Sequence, residues 1–422
     1  MSKWCQTTLG EIVSTGGGKI QTGPFGSQLH AADYVDVGIP CIMPANMKSN
    51  RVDLSTIAFI SEKDATRLSK HLVKEGDIVY SRRGDVTQKA LIRKTEAGYF
   101  CGTGCLLVRP GKMIDPEFLT YHLSTPSNQR WIVNQAVGAT MPNLNTAILA
   151  NVPLNVPCQG TQKKIATVLS TLDAKIDYNN RINAELEAMA KTIYDYWFVQ
   201  FDFPDENDKP YKSSGGKMVY NTTLKREIPG GWTDSSILAV AALIGGGTPT
   251  KKKPEYWGGD IPFFTPTDAD GVTFKFSTAD YITEKGLKGS STQLFGKHSV
   301  FITARGSVGK LVLAGVDMAM NQSCYALRAK PGISHTFLFF LAKELVHHLQ
   351  VKSSGSVFDS IVSNDIELTK LAIPTEDVIE KFAAVVEPAF EKIANNTQEN
   401  QQLAQLRDWL LPMLMTGQVT VG

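Results

Sequence analysis

The sequence predicts an α+β protein. It would hold two β-rich units in pseudo-twofold tandem repeat, joined by two long antiparallel coiled-coil helices. Three observations carry this expectation. The chain resembles itself at a nearly constant offset. The first part of each copy is a series of short apolar runs broken by turn residues. The second part is an unbroken heptad seam.

The repeat is read by sliding the chain along itself. At an offset of 222 residues, Ile39-Pro40 falls on Ile261-Pro262, Pro44 on Pro266, Glu62-Lys63 on Glu284-Lys285, Arg83-Gly84 on Arg305-Gly306 and Val86 on Val308. At 219, Cys105 meets Cys324, Arg109 meets Arg328 and Phe118-Leu119 meets Phe337-Leu338. At 217, Gly138 meets Gly355, Pro157 meets Pro374, and Asn179 and Asn183 meet Asn396 and Asn400. Each copy also opens on a tryptophan followed by a glycine run: Trp4 before Gly16-Gly17-Gly18, Trp232 before Gly245-Gly246-Gly247. A tandem duplication with few insertions accounts for the whole series.

The first part of each copy carries runs such as Ile78-Val79-Tyr80, Leu106-Leu107-Val108, Val300-Phe301-Ile302 and Leu311-Val312-Leu313. Short apolar runs between Gly, Pro, Asn and Asp read as strands. Helical spacing at Phe118, Tyr121 and His122 predicts a helix over 115–134, with a counterpart over 334–352. Strands and helices segregated in this way make the class α+β.

The second part of each copy is a long helix. Its first seam is Ile165, Leu169, Leu172, Ile176, Asn179, Asn183, Leu186, Ala190, Ile193 and Trp197. Steps of four and three alternate without a break, which is the coiled-coil pattern. The second seam is Phe382, Val386, Ala389, Ile393, Asn396, Asn400, Leu403, Arg407, Leu410 and Leu414, with Asn in the same two layers and Arg407 as its one bad break. Each seam would be roughly 50 Å long at about 1.5 Å per residue. A pseudo-twofold axis would make the pair antiparallel, and buried Asn layers would lock its register. The competing expectation is two amphipathic helices packed separately, each on its own β unit.

The boundaries expected from these patterns are 1–158 for the first β-rich unit, 159–199 for the central helix, 200–231 for a connector, 232–374 for the second unit and 375–417 for the C-terminal helix. The connector is rich in Pro, Asp, Asn, Ser and Gly. Its Pro204-Asp205-Glu206 run reads as a solvated acidic turn.

Composition excludes several classes. Hydrophobic residues are 42% and charged residues 20%, with a net charge of +2. That is a globular chain, not a disordered one. Six scattered cysteines fit reduced thiols, and Cys101 with Cys105 lacks the further ligands of a zinc site. The opening MSKWCQTTLGEI is no secretory signal, and no apolar run reaches the roughly 18 residues of a membrane span. A cytoplasmic protein without membrane contact is expected. The Gly-Lys pairs at 18, 111, 216, 296 and 309 are not followed by Ser or Thr, so none is a phosphate-binding P-loop. The sequence has no H-E-x-x-H and no G-x-S-x-G. No metal set or catalytic constellation is expected, so a binding protein is favoured over an enzyme.

Charge placement points to the ligand. Residues 159–199 carry five basic and five acidic groups, whereas 375–415 carry three and seven. The remainder holds 35 basic and 29 acidic residues, a net +6. Lys251-Lys252-Lys253 lies beside Tyr256-Trp257, and Arg82-Arg83 precedes Gly84 as Arg305 precedes Gly306-Ser307. Basic groups beside aromatics on loops suit phosphate and base-edge contacts. A solvated basic turn, or a salt bridge shared by the two folds, is the alternative for each.

The layout resembles the specificity subunit of type I restriction-modification systems. The resemblance rests on the two divergent units, each ending Leu-x-x-Pro before a long helix (Leu154–Pro157, Leu371–Pro374). It rests also on the linker FDFPDENDKPYKSSGGKMVYNTTLKREIPGGW, on GGGTPTKKKPEYWGGDIPFFTPTD and on LLPMLMTGQV. It spans essentially the whole chain. It implies that each β-rich unit is a target recognition domain reading one half of a bipartite site on double-stranded DNA. The helices would be a spacer between half-sites, on a duplex that repeats every ~34 Å. They would dock two methyltransferase subunits carrying S-adenosylmethionine, and ATP-dependent restriction/translocase subunits would join them. This chain would hold no cofactor itself. The DNA-contacting residues expected are Arg82, Arg83, Lys89 and Thr140 in the first unit. In the second they are Thr248, Lys251, Lys252, Lys253, Tyr256, Arg305, Ser307 and Lys310. The alternatives are a coiled-coil protein-interaction scaffold without DNA binding and, weakened by the missing motifs, a standalone DNA-modifying enzyme.

Overall fold

The structure, a computed structural model, describes residues 4–138, 142–352 and 359–421. It divides into two compact units, Met1–Ile176 with Gln402–Gly422, and Asp177–Gln401. Each unit therefore contains a β-rich body and one stretch of each long helix.

In the first unit a four-stranded antiparallel sheet runs in the order Lys19–Thr22, Cys105–Arg109, Ile78–Ser81, Lys89–Leu91. Its central strands carry unbroken apolar runs because both faces are covered there: Ile78, Val79, Leu106, Leu107 and Val108 are all fully buried. A second sheet orders Phe100–Cys101, Ile39–Ile42, Ala58–Ile60 and Tyr34–Val35, its first pair parallel. Strand Cys5–Thr8 pairs with Pro153–Val156, tying the start of the unit to the segment that enters the central helix. Cys101 and Cys105 are buried free thiols in this core, and burial pushes both well above the ordinary thiol pKa.

The second unit repeats this plan. Its main sheet runs Ala241–Gly245, Cys324–Ala329, Val300–Thr303, Leu311–Ala314, with Phe274–Lys275 added at the edge. Trp257–Phe264 takes the place of Ile39–Ile42, parallel to Ala319–Met320 and antiparallel to Asp280–Ile282. The repeat is kept in register. Cys41 faces Phe100 and Phe263 faces Ala319. Tyr80 faces Leu106 and Ile302 faces Tyr325. The offsets of 222 and 219 residues read along the sequence are thus offsets of strand pairing.

One helix departs from expectation. Instead of a single helix over 115–134, Pro116–Leu123 is followed by a separate Pro126–Gln135. Pro126 has no amide to continue the first helix, and it forces Thr125 into extended backbone. The Thr125 hydroxyl then caps the new helix by accepting from the Asn128 amide. The counterpart in the second unit, His335–Lys352, has no proline and runs uninterrupted.

The long helices span Gln159–Tyr194, continued by a π turn Asp195–Val199, and Glu376–Met415. In the first unit Ile165 and Leu169 share a core with Leu411, Leu414 and Met415. In the second, Leu186, Ile193, Phe382, Val386 and Ile393 join one core with the β body. Leu172, Ile176, Leu403 and Leu410 are half-buried along the same seam. Direction is set by the polar layers of the second unit. Asn179 donates to Asn400 at 2.9 Å and Asn396 donates to Asn183 at 2.8 Å, so rising numbers on one helix meet falling numbers on the other. Asn179 also donates to Glu399 and Asn400 to Asn180, so these amides are satisfied rather than stranded. The helices pair antiparallel, and their ends also enter the β-rich cores.

The segment expected as a connector is packed. Phe201 and Phe203 are buried, and Phe203 stacks between Tyr211 and Trp232 at 4.6 and 5.4 Å. Met218–Asn221 and Arg226–Pro229 form a hairpin. Asp205 is the expected acidic turn, accepting from the Asn207 and Lys209 amides. Among the described residues no helix is long and apolar enough to cross a membrane.

Candidate functional site

Arg82 and Arg83 in the first unit, and Thr248, Lys251, Lys252, Lys253, Tyr256, Arg305, Ser307 and Lys310 in the second, lie on loops at the ends of main-sheet strands. The loop after Ile78–Ser81 and its equivalent after Val300–Thr303 have the same backbone frame. Arg82 N–H donates to Gly104 O at 2.9 Å, and Ala304 N–H to Ser323 O at 2.8 Å. Leu144 N–H donates to Arg82 O, and Ile361 N–H to Ala304 O, both at 2.9 Å. Arg83 bridges to Asn143 as Arg305 bridges to Ser360. The next residues, Gly84 and Gly306, have φ of +75° and +84°, a backbone that disfavours any side chain. That shared turn is why Arg-Gly recurs in the repeat. Arg83 and Arg305 both point outward and are exposed. Among the described residues neither has a carboxylate partner, so the geometry offers no salt bridge common to the two folds.

In the first unit Arg82, Arg83, Phe25, Met43, Pro44 and Thr103 line an open concavity of about 670 Å³. The Arg82 guanidinium lies over the Phe25 ring at 5.9 Å, and its Nε–H donates to Asn143 Oδ1 at 3.3 Å. Phe25 and Asn143 were not reached from the sequence. An aromatic held between two turn-forming residues, Pro24 and Gly26, was the available signal.

Lys89 stands apart. In the hairpin it faces Tyr80, a register that points its side chain inward, and it is only 2% exposed. Its ammonium lies 5.8 Å from the Tyr80 ring. Burial pulls its pKa down to about 7. A lysine so placed does not present a charge to a surface ligand, and it leaves the contact set for that reason. Thr140 lies outside the described residues.

Lys89→Met is expected to raise stability on the order of 2–4 kcal/mol at pH 7, with the gain shrinking toward pH 10. The folded group titrates near 7 and the unfolded one near 10.5, so the unfolded chain binds more protons between these values. Wild-type stability therefore rises with pH across that window. Melting temperatures of both chains from pH 6 to 10 test it, and a gain independent of pH would refute the buried-ammonium explanation.

In the second unit Lys251, Lys252 and Lys253 are exposed on the loop after Ala241–Gly245. Lys251 lies over Trp257 at 5.9 Å, and Lys253 lies over Tyr256 at 4.9 Å while donating to its hydroxyl at 3.0 Å. That hydrogen bond raises the Lys253 pKa. Trp257 Nε1–H donates to Thr250 O at 3.2 Å, closing the loop on itself. Thr248 donates to Gln322, next to Ser323, which receives the Arg305 amide. Two loops thereby meet at one strand turn. Gly246 makes the approach possible: a Cβ there would lie 2.0 Å from Asn321 O. Ser307 is exposed on the Arg305 turn. Lys310 Nζ is held on Ala269 O at 2.8 Å. Among the described residues, no three His, Cys, Asp or Glu side chains are grouped as metal ligands.

Two stretches of the chain, residues 1–188 and 229–405, match the family model described as the type I restriction modification DNA specificity domain. The chain belongs to this family. The two matches fall on the two halves of the repeat. Among similar members, the type I restriction enzyme MjaIX specificity subunit of Methanocaldococcus jannaschii is 26% identical over 367 residues, covering 86% of this chain and 82% of the relative. The HindI specificity subunit of Haemophilus influenzae is 24% identical over 411 residues, covering 85% and 89%. The crystal structure of the type I restriction-modification S subunit from M. genitalium has the same fold, with a TM-score of 0.58 at 16% identity over 98% of this chain and 96% of that one. As a specificity chain of this family, the protein carries two recognition-type domains on an antiparallel helix pair.

Proposed function

We propose that the chain is the DNA-recognition subunit of a type I restriction-modification complex and reads a bipartite site on double-stranded DNA. One observation carries the proposal beyond family membership: Arg83 and Arg305 occupy the same turn of two duplicated domains, both exposed and without a carboxylate partner among the described residues. Two copies of one cationic turn suit two contacts with the repeating phosphates of a duplex. Lys251, Lys252, Lys253 and Tyr256, with Thr248, Ser307 and Lys310, extend that face in the second domain. Arg82 extends it in the first.

The helices would carry the partners. Tyr178, Met189, Val385, Leu406 and Trp409 are exposed on the two helices. Apolar groups in these numbers on a coiled-coil exterior suit docked helices of other subunits. Two methyltransferase subunits would bring S-adenosylmethionine, and restriction/translocase subunits would bring ATP. This chain would supply the address and no chemistry.

Co-expression with the methyltransferase subunit, followed by sequencing of methylated bases, tests the reading. A gapped, two-part methylated sequence is expected. A chain that adds no site preference to the methyltransferase would sink it in favour of a protein scaffold. Lys251→Ala and Arg305→Ala should each weaken binding to all sequences and lower the salt slope of binding by about 1.

A further inference from the structure

The two domains share a backbone at the arginine turn but only part of its side chains, and the difference separates two kinds of contact. Arg83 and Arg305 are common to both. The residue before them is Arg82 in the first domain and Ala304 in the second, and Ala304 is 3% exposed. The amide and carbonyl of both make the equivalent hydrogen bonds described above. The frame is therefore indifferent to what stands at this position. A group kept in both domains serves something common to both half-sites. A group present in one serves something particular to it.

Arg82 is also held as a reader would be. Its Nε–H is committed to Asn143 Oδ1 and one face of its plane lies over Phe25. Its two Nη groups have no partner among the described residues, and the side chain lines the concavity with Pro44 and Thr103. Fixing Nε and one face removes most of the rotational freedom that an arginine otherwise loses on binding. What remains is a planar pair of parallel donors at a set position. The partner that matches it is a planar pair of acceptors. In a DNA groove that pair is guanine O6 and N7, which the other bases do not present together.

Resting on the DNA-recognition reading above, we infer that Arg82 reads a guanine in the half-site of the first domain, with Asn143 and Phe25 as its positioning residues and Arg83 as the neighbouring phosphate contact. The second domain, with alanine at this position, has no such reader there.

The test is the methylated sequence produced by the assembled complex with wild-type, Arg82→Ala, Arg82→Lys and Asn143→Ala chains. Arg82→Ala is expected to relax one guanine position of one half-site, with a discrimination loss of roughly 10- to 100-fold. The other half-site stays as in wild type and so reports that the chain is folded and assembled. Arg82→Lys relaxes the same position, because it keeps the charge and loses the planar fork. Asn143→Ala relaxes that position more weakly. An Arg82→Ala chain that loses both half-sites is misfolded, and Arg82→Lys then decides. Three outcomes would overturn the inference: relaxation at a base pair without guanine, an even loss across all sequences with a smaller salt slope, or no change. A wild-type chain giving no bipartite pattern overturns the reading beneath it, and is recognised before any substitution is made.

Discussion

Phe382→Ala is expected to destabilise the second unit by about 3–5 kcal/mol, the usual cost of emptying a buried phenylalanine site. Phe382 opens the seam of the C-terminal helix and is fully buried. Its ring meets Phe198 at 5.1 Å, Trp197 at 5.9 Å and Tyr194 at 6.0 Å on the central helix, and Phe340 at 6.3 Å on the helix His335–Lys352. The rings around it are fixed by other partners: Tyr194 donates to Glu344 at 2.8 Å, and Phe198 packs on Phe337 at 5.1 Å. They cannot close over the space, so the cavity term adds to the lost transfer energy. Phe382→Leu, which leaves a smaller void, should cost about 1–2 kcal/mol. Urea unfolding followed by tryptophan fluorescence reads both. An alanine variant within 1 kcal/mol of wild type would mean that the helix is not anchored in this cluster.

The same residues show how much was legible in the sequence. The seam, the Asn layers and the repeat were readable because each is a pattern of spacing, and spacing is what folding preserves. Cys41–Phe100 and Phe263–Ala319 pair as the offsets require, although the residues differ at both equivalent positions. The break at Pro126 was hidden by apolar spacing that continues across it. The connector's buried Phe201 and Phe203 were hidden by surrounding residues with a turn composition.

The site was less legible, because side-chain direction depends on pairing partners far away in sequence. Arg82 and Arg83 are neighbours of identical type, yet one is braced by Asn143 and Phe25 and the other is exposed. Lys89 reads as a surface cation until its register opposite Tyr80 turns it inward. A formal charge locates a candidate; the strand pairing decides whether solvent or a ligand can reach it.

Arg407, the break in the second seam, leads to the other large expected effect. Its Nη1 reaches Asp173 Oδ1 at 2.7 Å, and the second oxygen of Asp173 accepts the Tyr121 hydroxyl at 2.5 Å. Both charged side chains are mostly buried, 26% and 18% exposed. Burial, and then the bond to Asp173, push the Tyr121 phenol far above its ordinary pKa, so it stays a donor at any pH the protein meets. The polar residue in the seam is thus the partner of a carboxylate on the opposite helix, within the first unit. Arg407→Leu restores the heptad pattern and is nevertheless expected to destabilise that unit by about 1–3 kcal/mol, because it leaves the Asp173 charge half-desolvated. Removing the buried members together with Asp173→Leu, Arg407→Leu and Tyr121→Phe, and leaving only the exposed Asp408 that Arg407 also bridges at 2.8 Å, should recover most of the loss, since a buried ion pair is often no more stabilising than apolar packing of similar volume. Urea unfolding of the single and triple variants measures both. A neutral single variant would show that water compensates Asp173, and a triple variant as unstable as the single one would show that the network contributes stability beyond neutralising its own charges.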